Sequence, residues 1–288
     1  MRNALDIHSR SRAKCFPTGF DETEALPNHI ALDHMKAFIL AAGNGERLRP
    51  LTDGLPKCLV PIRDLPLLGI WLELCRRHHI DEVLINTHAH AELVEDYLRR
   101  ANNSIHVQTT YEEHLLGSAG TLLANEAWIG SDSEFWVFYG DVLTNLDLER
   151  MLTFHRSQKM MATLAVYAVP NPQQCGIVNI DNDKIIREFV EKPAEPCGNL
   201  AFAGVLIATP EIFSEIPDQI PADLGFHVLP KLLGKMAAYT VSEYLVDVGT
   251  PANYHHAQLT WPGLDAGVES EIGFDDRPLE RASVLQPA

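Results

Sequence analysis

Residues 36–62 read KAFILAAGNGERLRPLTDGLPKCLVPI. The stretch opens on an apolar run, Ala37 to Ala42, that Gly43 and Gly45 cut short; that length suits a buried parallel strand better than a helix. The strand feeds a turn whose glycines let backbone N–H groups come close to a ligand. Arg47, Arg49 and Lys57 follow among Pro50, Pro56 and Pro61, whose fixed φ stiffens an extended loop. A basic, glycine-lined loop at the carboxyl end of a strand is where open α/β sheets bind their ligands.

Two common phosphate loops are excluded. A Walker A loop needs a Gly-Lys pair, which the segment lacks, and a dinucleotide fingerprint needs a third glycine where Leu48 stands. What remains is G-x-G-x-R-x-x-P followed by P-K-x-L-x-P, carried by Gly43, Gly45, Arg47, Pro50, Pro56, Lys57, Leu59 and Pro61, with Thr52 between them. This double pattern resembles the signature of the sugar-1-phosphate nucleotidyltransferases, and the LGSAGTL segment at Leu116 to Leu122 resembles the base-contacting segment of the mannose-1-phosphate guanylyltransferase-like members among them. The resemblance runs from residue 35 to about 261. It implies an α/β fold, a mostly parallel mixed sheet with helices on both faces, the Rossmann-like nucleotide-diphospho-sugar transferase architecture.

Composition bounds the partners. A chain of 288 residues, 46% of them hydrophobic, can bury a sizeable core as one large or two coupled domains. The formal charge of −16 argues against nucleic acid, which needs a basic face, whereas a small anion needs only a local basic pocket. No apolar run reaches the ~18 residues of a membrane span, and the first residues, MRNALDIHSRSR, lack a secretory apolar centre. A cytoplasmic protein is expected, without a membrane partner and with homo-oligomerisation left open. Cys15, Cys58, Cys75, Cys175 and Cys197 form no CxxC and are odd in number, so reduced, mostly packed thiols are expected, Cys58 included.

Residues 1–34 mix proline, histidine and charge without period and read as a mobile leader. Because the resembling proteins tend to begin at such an M-K-A-x-I-L-A-A-G sequence, Met35 is the expected natural start. A nucleotide half at about 35–160, a sugar half at about 161–261 and a weakly ordered tail at 262–288 complete the expected organisation. In the nucleotide half, helices are expected after Pro66, over Ala91 to Arg100, over Ser118 to Trp128, and over Leu148 to Lys159 with Asp147 as cap. Strands are expected over Val83 to Asn86, Ile105 to Thr110 and Phe135 to Tyr139. In the sugar half, Ile177 to Glu191 reads as a hairpin and Asn199 to Ala208 as a strand. Helices are expected from Pro210, from Asp223 to Leu233 and over Pro251 to Thr260, and a strand-like alternation at Val241 to Thr250. His78, His79, His88 and His90 fall at helix ends and loops and read as solvated.

Four further segments carry candidate chemistry. In LGSAGTL, Leu116 to Leu122, small residues open a helix whose free N–H groups could meet a phosphate or a flat ring. Gly140-Asp141 ends a central strand, a place suited to a carboxylate that holds a divalent cation. Glu191-Lys192-Pro193 ends the hairpin and projects a charge off the strand. In VSEYLVDVGT, Asp247 sits among apolar neighbours, is expensive to bury alone, and so calls for a positive partner.

The resemblance assigns these residues roles. It puts the nucleotide on Leu40, Ala41, Ala42, Gly43, Gly45, Asn86, Gly117 and Ser118, and the sugar phosphate on Gly140, Glu191, Lys192, Asn199 and Gly204. Arg47 and Lys57 become catalytic counter-charges to an NTP and a sugar 1-phosphate, and Asp141 with Asp247 hold Mg²⁺. The nucleophile of the implied reaction is already an anionic phosphate oxygen, so positioning and electrostatics are required rather than a base. The GSAG sequence leans towards GTP with a mannose-like sugar 1-phosphate. Uridylyl or thymidylyl transfer, or a non-catalytic regulatory subunit that senses nucleotide sugars, stand as alternatives. A nicotinamide-dependent dehydrogenase would need the missing glycine and an acid after the second strand, where Asn86-Thr87-His88 stands.

Overall fold

A computed structural model describes residues 35–101 and 104–264. The expected leader at 1–34 and all but the first three residues of the expected tail lie outside the described residues. The first half runs β1 (Met35–Leu40), a ribbon of β2 (Pro61–Ile62) and β3 (Leu65–Pro66), α1 (Leu67–Arg77), β4 (Ile80–Thr87), α2 (Ala91–Arg100), β5 (His106–Tyr111), α3 (Ser118–Ala124), α4 (Glu126–Ile129), β6 (Phe135–Tyr139), β7 (Val142–Thr144) and α5 (Leu148–Gln158). The second half adds β8 (Ala162–Ala168), β9 (Gly176–Ile180), β10 (Ile186–Glu191), β11 (Leu200–Ala208), β12 (Met236–Thr240), β13 (Leu245–Asp247) and α6 (Pro251–Thr260).

One nine-stranded sheet runs through both halves in the order β10-β9-β11-β6-β1-β4-β5, with β8 joined to β11 and β12 to β8. Strands β5, β4, β1 and β6 are mutually parallel, as is the β8–β12 pair; β11 is antiparallel to β6, β8 and β9, and β9–β10 is an antiparallel hairpin. The expected mixed α/β sheet is therefore present, with its antiparallel strands gathered in the second half.

β1 is apolar from Ala37 to Leu40 because both of its faces are covered there. Ala37 and Ile39 join Trp136, Phe138, Trp71 and α5 residues in a core on one side. Phe38 joins Phe135, Val137 and Leu122 of α3 on the other. Burying a side chain of that size stabilises by about 1.5–3 kcal/mol. From β1 the chain passes to β4 on one side and later to β6 on the other, so a crevice opens at the carboxyl ends of β1 and β6, where strand order reverses.

Several elements differ from expectation. The helix expected to reach Trp128 breaks at Asn125, whose amide Nδ2 donates to the Thr121 carbonyl at 2.8 Å. The helix expected over Asp223 to Leu233 is a wide turn at Leu224–Val228 and a 3₁₀ turn at Leu229–Lys231, because Pro230 has no N–H to continue a ladder. Asp223 nevertheless caps it, accepting from Gly225 N at 2.9 Å. β7 and β12 were not anticipated, and the alternation at Val241 to Thr250 yields only three strand residues. Asp147 caps α5 as expected, accepting from Arg150 N at 3.0 Å.

Candidate active site

The glycine-rich loop leaves the sheet after Leu40. Leu40 O accepts from Gly140 N at 2.9 Å, and Ala41 N donates to Asn86 Oδ1 at 2.6 Å, so the ends of β1, β4 and β6 are tied at the crevice. Thr52 Oγ1 donates to Gly45 O at 2.7 Å and folds the loop back on itself. Two short 3₁₀ turns then present the cations: Glu46–Leu48 carries Arg47 and Lys57–Leu59 carries Lys57. Buried Leu48, Cys58 and Leu59 anchor these turns and set the direction in which the charges project. Burial pushes the Cys58 thiol up to about 12, which fits the expected space-filling role.

The two aspartates expected to converge do so through a ladder too short to read from sequence. β13 pairs antiparallel with β7, placing Asp247 opposite Val142, and Val248 N donates to Asp141 O at 2.9 Å. Lys57 Nζ lies 2.6 Å from Asp141 Oδ2 and 3.8 Å from Asp247 Oδ1. Gly249 makes the crowding possible. A Cβ there would stand 2.6 Å from Asp247 Oδ1, 3.0 Å from Arg47 Nη2 and 3.1 Å from Lys57 Nζ. Asp247 and two bases thus crowd around one glycine, and Lys57 ties the second acid, Asp141, to them. The strand-like alternation of VSEYLVDVGT puts Gly249 on the face of Asp247, but residue types alone do not show that it is crowded by charge.

Asp247 Oδ1 is buried and accepts no hydrogen bond. Burial raises the Asp247 pKa, the Asp141 charge raises it further, and Lys57, Arg47 and the Gly249 N–H oppose the rise. An orphaned carboxylate oxygen beside a second carboxylate is a donor set that suits a hard divalent cation such as Mg²⁺. Among the described residues no group of three or more His, Cys, Asp or Glu is placed to hold a metal ion. A cation there would complete its shell with oxygens from water or a bound phosphate.

Glu191 and Lys192 lie at the end of β10. The Glu191 carboxylate is wedged between two glycines, with a Cβ on Gly176 or Gly225 standing 2.6 or 2.5 Å from Oε2. Burial raises its pKa, Lys192 lowers it and Asp223 adds to the rise. Lys192 has φ 50°, its N–H donates to Cys175 O at 2.9 Å, and its Nζ is 3.9 Å from Glu191 Oε1. Asn199 is exposed just before β11, its carbonyl accepting from Val169 N at 2.8 Å. At Gly204, where a sugar contact and a packing glycine are equally compatible with the sequence, a Cβ would meet Tyr139 Cβ and Val142 Cγ2, each at 3.0 Å.

The GSAG segment also differs from expectation. The helix N–H groups of Ala119 and Gly120 are not free, since both donate to Ala222 O at 3.0 Å, and Ser118 Oγ accepts from Leu224 N at 2.7 Å. Gly117 has φ 79°, and a Cβ on it would run into the Ala222 carbonyl. The segment therefore clasps the second half of the chain, and residue types alone could not reveal a backbone carbonyl as the partner. Asn86 is likewise engaged: its Nδ2 donates to Glu112 Oε1 at 2.8 Å and Thr121 Oγ1 at 3.0 Å. Glu112, overlooked in the sequence, also accepts from Leu116 N at 3.0 Å. This buried network joins the glycine-rich loop to α3. His88, expected to be solvated, has Nδ1 2.7 Å from the Glu112 carbonyl oxygen.

Fold and site together define a doubly wound α/β protein with a mixed-charge cluster at its topological switch point. The chain belongs to the nucleotidyl transferase family, whose profile matches residues 36–262. It is 34% identical over 241 residues to the UTP--glucose-1-phosphate uridylyltransferase of Synechocystis, covering 77% of this chain and 62% of that one. It is 31% identical over 227 residues to mannose-1-phosphate guanylyltransferase 1 of Arabidopsis thaliana, covering 76% and 63%. The match therefore spans just over three-fifths of the length of these relatives. The fold is shared with HddC of Yersinia pseudotuberculosis in complex with GMP-PN, at TM-score 0.68 and 24% identity over 79% of this chain and 99% of that one. No helix among the described residues is long and apolar enough to cross a membrane.

Proposed function

We propose that the protein transfers a nucleotidyl group from an NTP to a sugar 1-phosphate, releasing pyrophosphate and forming an NDP-sugar. The observation that carries this reading is the cluster in which Lys57 bridges Asp141 and Asp247 while Arg47, Lys57 and Asp247 crowd Gly249 at the strand switch point. The obstacle in such a reaction is repulsion, because a terminal phosphate carries roughly −1.5 to −2 near neutral pH and must approach a triphosphate. Arg47 offers a planar fork to the leaving phosphates, Lys57 a mobile point charge to the phosphate under attack, and Lys192 a charge that draws in the sugar phosphate. Asp141 and Asp247 would hold Mg²⁺ with phosphate oxygens, and the bound ion would neutralise charge on the transferring phosphate. Until then Lys57 is the counter-ion of both acids, so binding requires it to exchange partners.

The sugar phosphate nucleophile is anionic, so no side chain is asked to remove a proton in the chemical step. For base and sugar we propose GTP with a mannose-like sugar 1-phosphate, on the strength of the GSAG sequence and the guanylyltransferase relative. The uridylyltransferase relative supports UTP with glucose 1-phosphate as the second reading. A grid of four NTPs against several sugar 1-phosphates, scored by pyrophosphate release with and without Mg²⁺, tests both. Turnover with one matched pair supports transfer, and binding of nucleotide sugar without turnover anywhere on the grid would favour a regulatory subunit.

A further inference from the structure

Lys192 does not project freely off its strand. Its Nζ lies 5.6 Å from the centroid of the Phe226 ring, within cation–π range. Phe226 is a large aromatic side chain that stands 53% exposed beside this ammonium. It sits on the wide turn Leu224–Val228, which is held at both ends: Asp223 caps Gly225, and Asp223 N donates to His227 Nδ1 at 2.9 Å. The two segments meet residue for residue. Gly225 lies against the Glu191 carboxylate, and Phe226 lies against the Lys192 ammonium. The clasp between Ser118 and Leu224 fixes the same turn to the first half of the chain.

We propose that Phe226 is a positioning residue for Lys192. Its ring face holds the ammonium over the sugar-phosphate side of the crevice, so the charge is in place before an anionic sugar arrives. The proposal rests on the reading of Lys192 as a sugar-phosphate contact. The ring restricts a long chain that is 56% exposed and otherwise costs rotamer entropy when it binds. Because a guest phosphate can approach the ammonium from the side away from the ring, the two contacts coexist.

The test is a double-mutant cycle on steady-state pyrophosphate release. An exposed cation–π contact contributes about 0.5–1 kcal/mol, so Phe226→Leu, which keeps apolar bulk but removes the π face, should raise the KM for sugar 1-phosphate about two- to five-fold. The KM for NTP and kcat should hold, and Phe226→Trp should restore the wild-type value. In a Lys192→Ala background Phe226→Leu should have no further effect. Equal behaviour of the leucine and tryptophan variants, or an undiminished effect of Phe226→Leu without Lys192, would overturn the proposal. Absence of turnover in the wild-type protein would instead remove the transferase reading on which it rests.

Discussion

Gly249→Ala should inactivate the site while leaving the fold in place. Gly249 is outside the left-handed φ region, so alanine meets no backbone strain, and its whole effect is the methyl group. At 2.6 Å from Asp247 Oδ1 that methyl is roughly 1 Å inside van der Waals contact. Arg47 and Lys57, at 3.0 and 3.1 Å, must give way as well, though their long side chains do so cheaply. The short Asp247 side chain cannot, and it moves away from the Asp141 carboxylate with which it is proposed to share a cation. A misplacement of ~1 Å costs on the order of 10²-fold in rate, so kcat should fall about 100-fold. Overpacking costs about 1–3 kcal/mol, which leaves a protein of ordinary stability folded. Pyrophosphate release measured beside near-ultraviolet circular dichroism separates the two effects. A folded variant with kcat within about two-fold of wild type would refute the argument that the charges around this glycine are the machinery.

Asp247→Asn should stabilise the free protein while abolishing transfer. The folded pKa of Asp247 lies above its ordinary value, so the folded state binds the proton more tightly, and stability falls as pH rises through the carboxylate range. Removing the charge removes that penalty, and Tm at neutral pH should rise; a fall would contradict it. Arg47→Lys should weaken pyrophosphate binding, because a fork is exchanged for a point charge; unchanged pyrophosphate affinity would argue against the role given to Arg47. Among the described cysteines, exposed Cys197 should react with a thiol reagent at pH 8 well before Cys58 and Cys75, whose thiols burial pushes up. Mass-spectrometric mapping of early alkylation at Cys58 in the native protein would count against the buried signature turn.

The charged residues were legible because each sits in a motif of fixed spacing: Arg47 and Lys57 in the glycine-proline loop, Asp141 after a strand-ending glycine, Asp247 in an apolar alternation that demanded a partner. Lys57 at 3.8 Å is that partner. What brings the acids together was not legible, since β7 and β13 have three residues each and offer no periodicity to read. Nor was the closure of the GSAG helix by Ala222 O, because a backbone carbonyl leaves no mark on residue identity. At Gly204 room for a sugar ring and close packing are equally compatible with the sequence, and Tyr139 and Val142 crowd the position; nothing in the residue types marks Gly249 as the point where Asp247, Arg47 and Lys57 come together.

In the proposed reaction Lys57, Asp141 and Asp247 act as one device for holding a triphosphate and its cation against an incoming sugar phosphate. The most direct measurement is the Mg²⁺ dependence of pyrophosphate release by wild type, Lys57→Ala and Asp141→Ala with the best substrate pair from the grid. Turnover in the wild type should depend on Mg²⁺, and kcat should be lower by roughly 10²-fold or more in each variant. Near-full rate in Asp141→Ala at excess Mg²⁺ would contradict this reading.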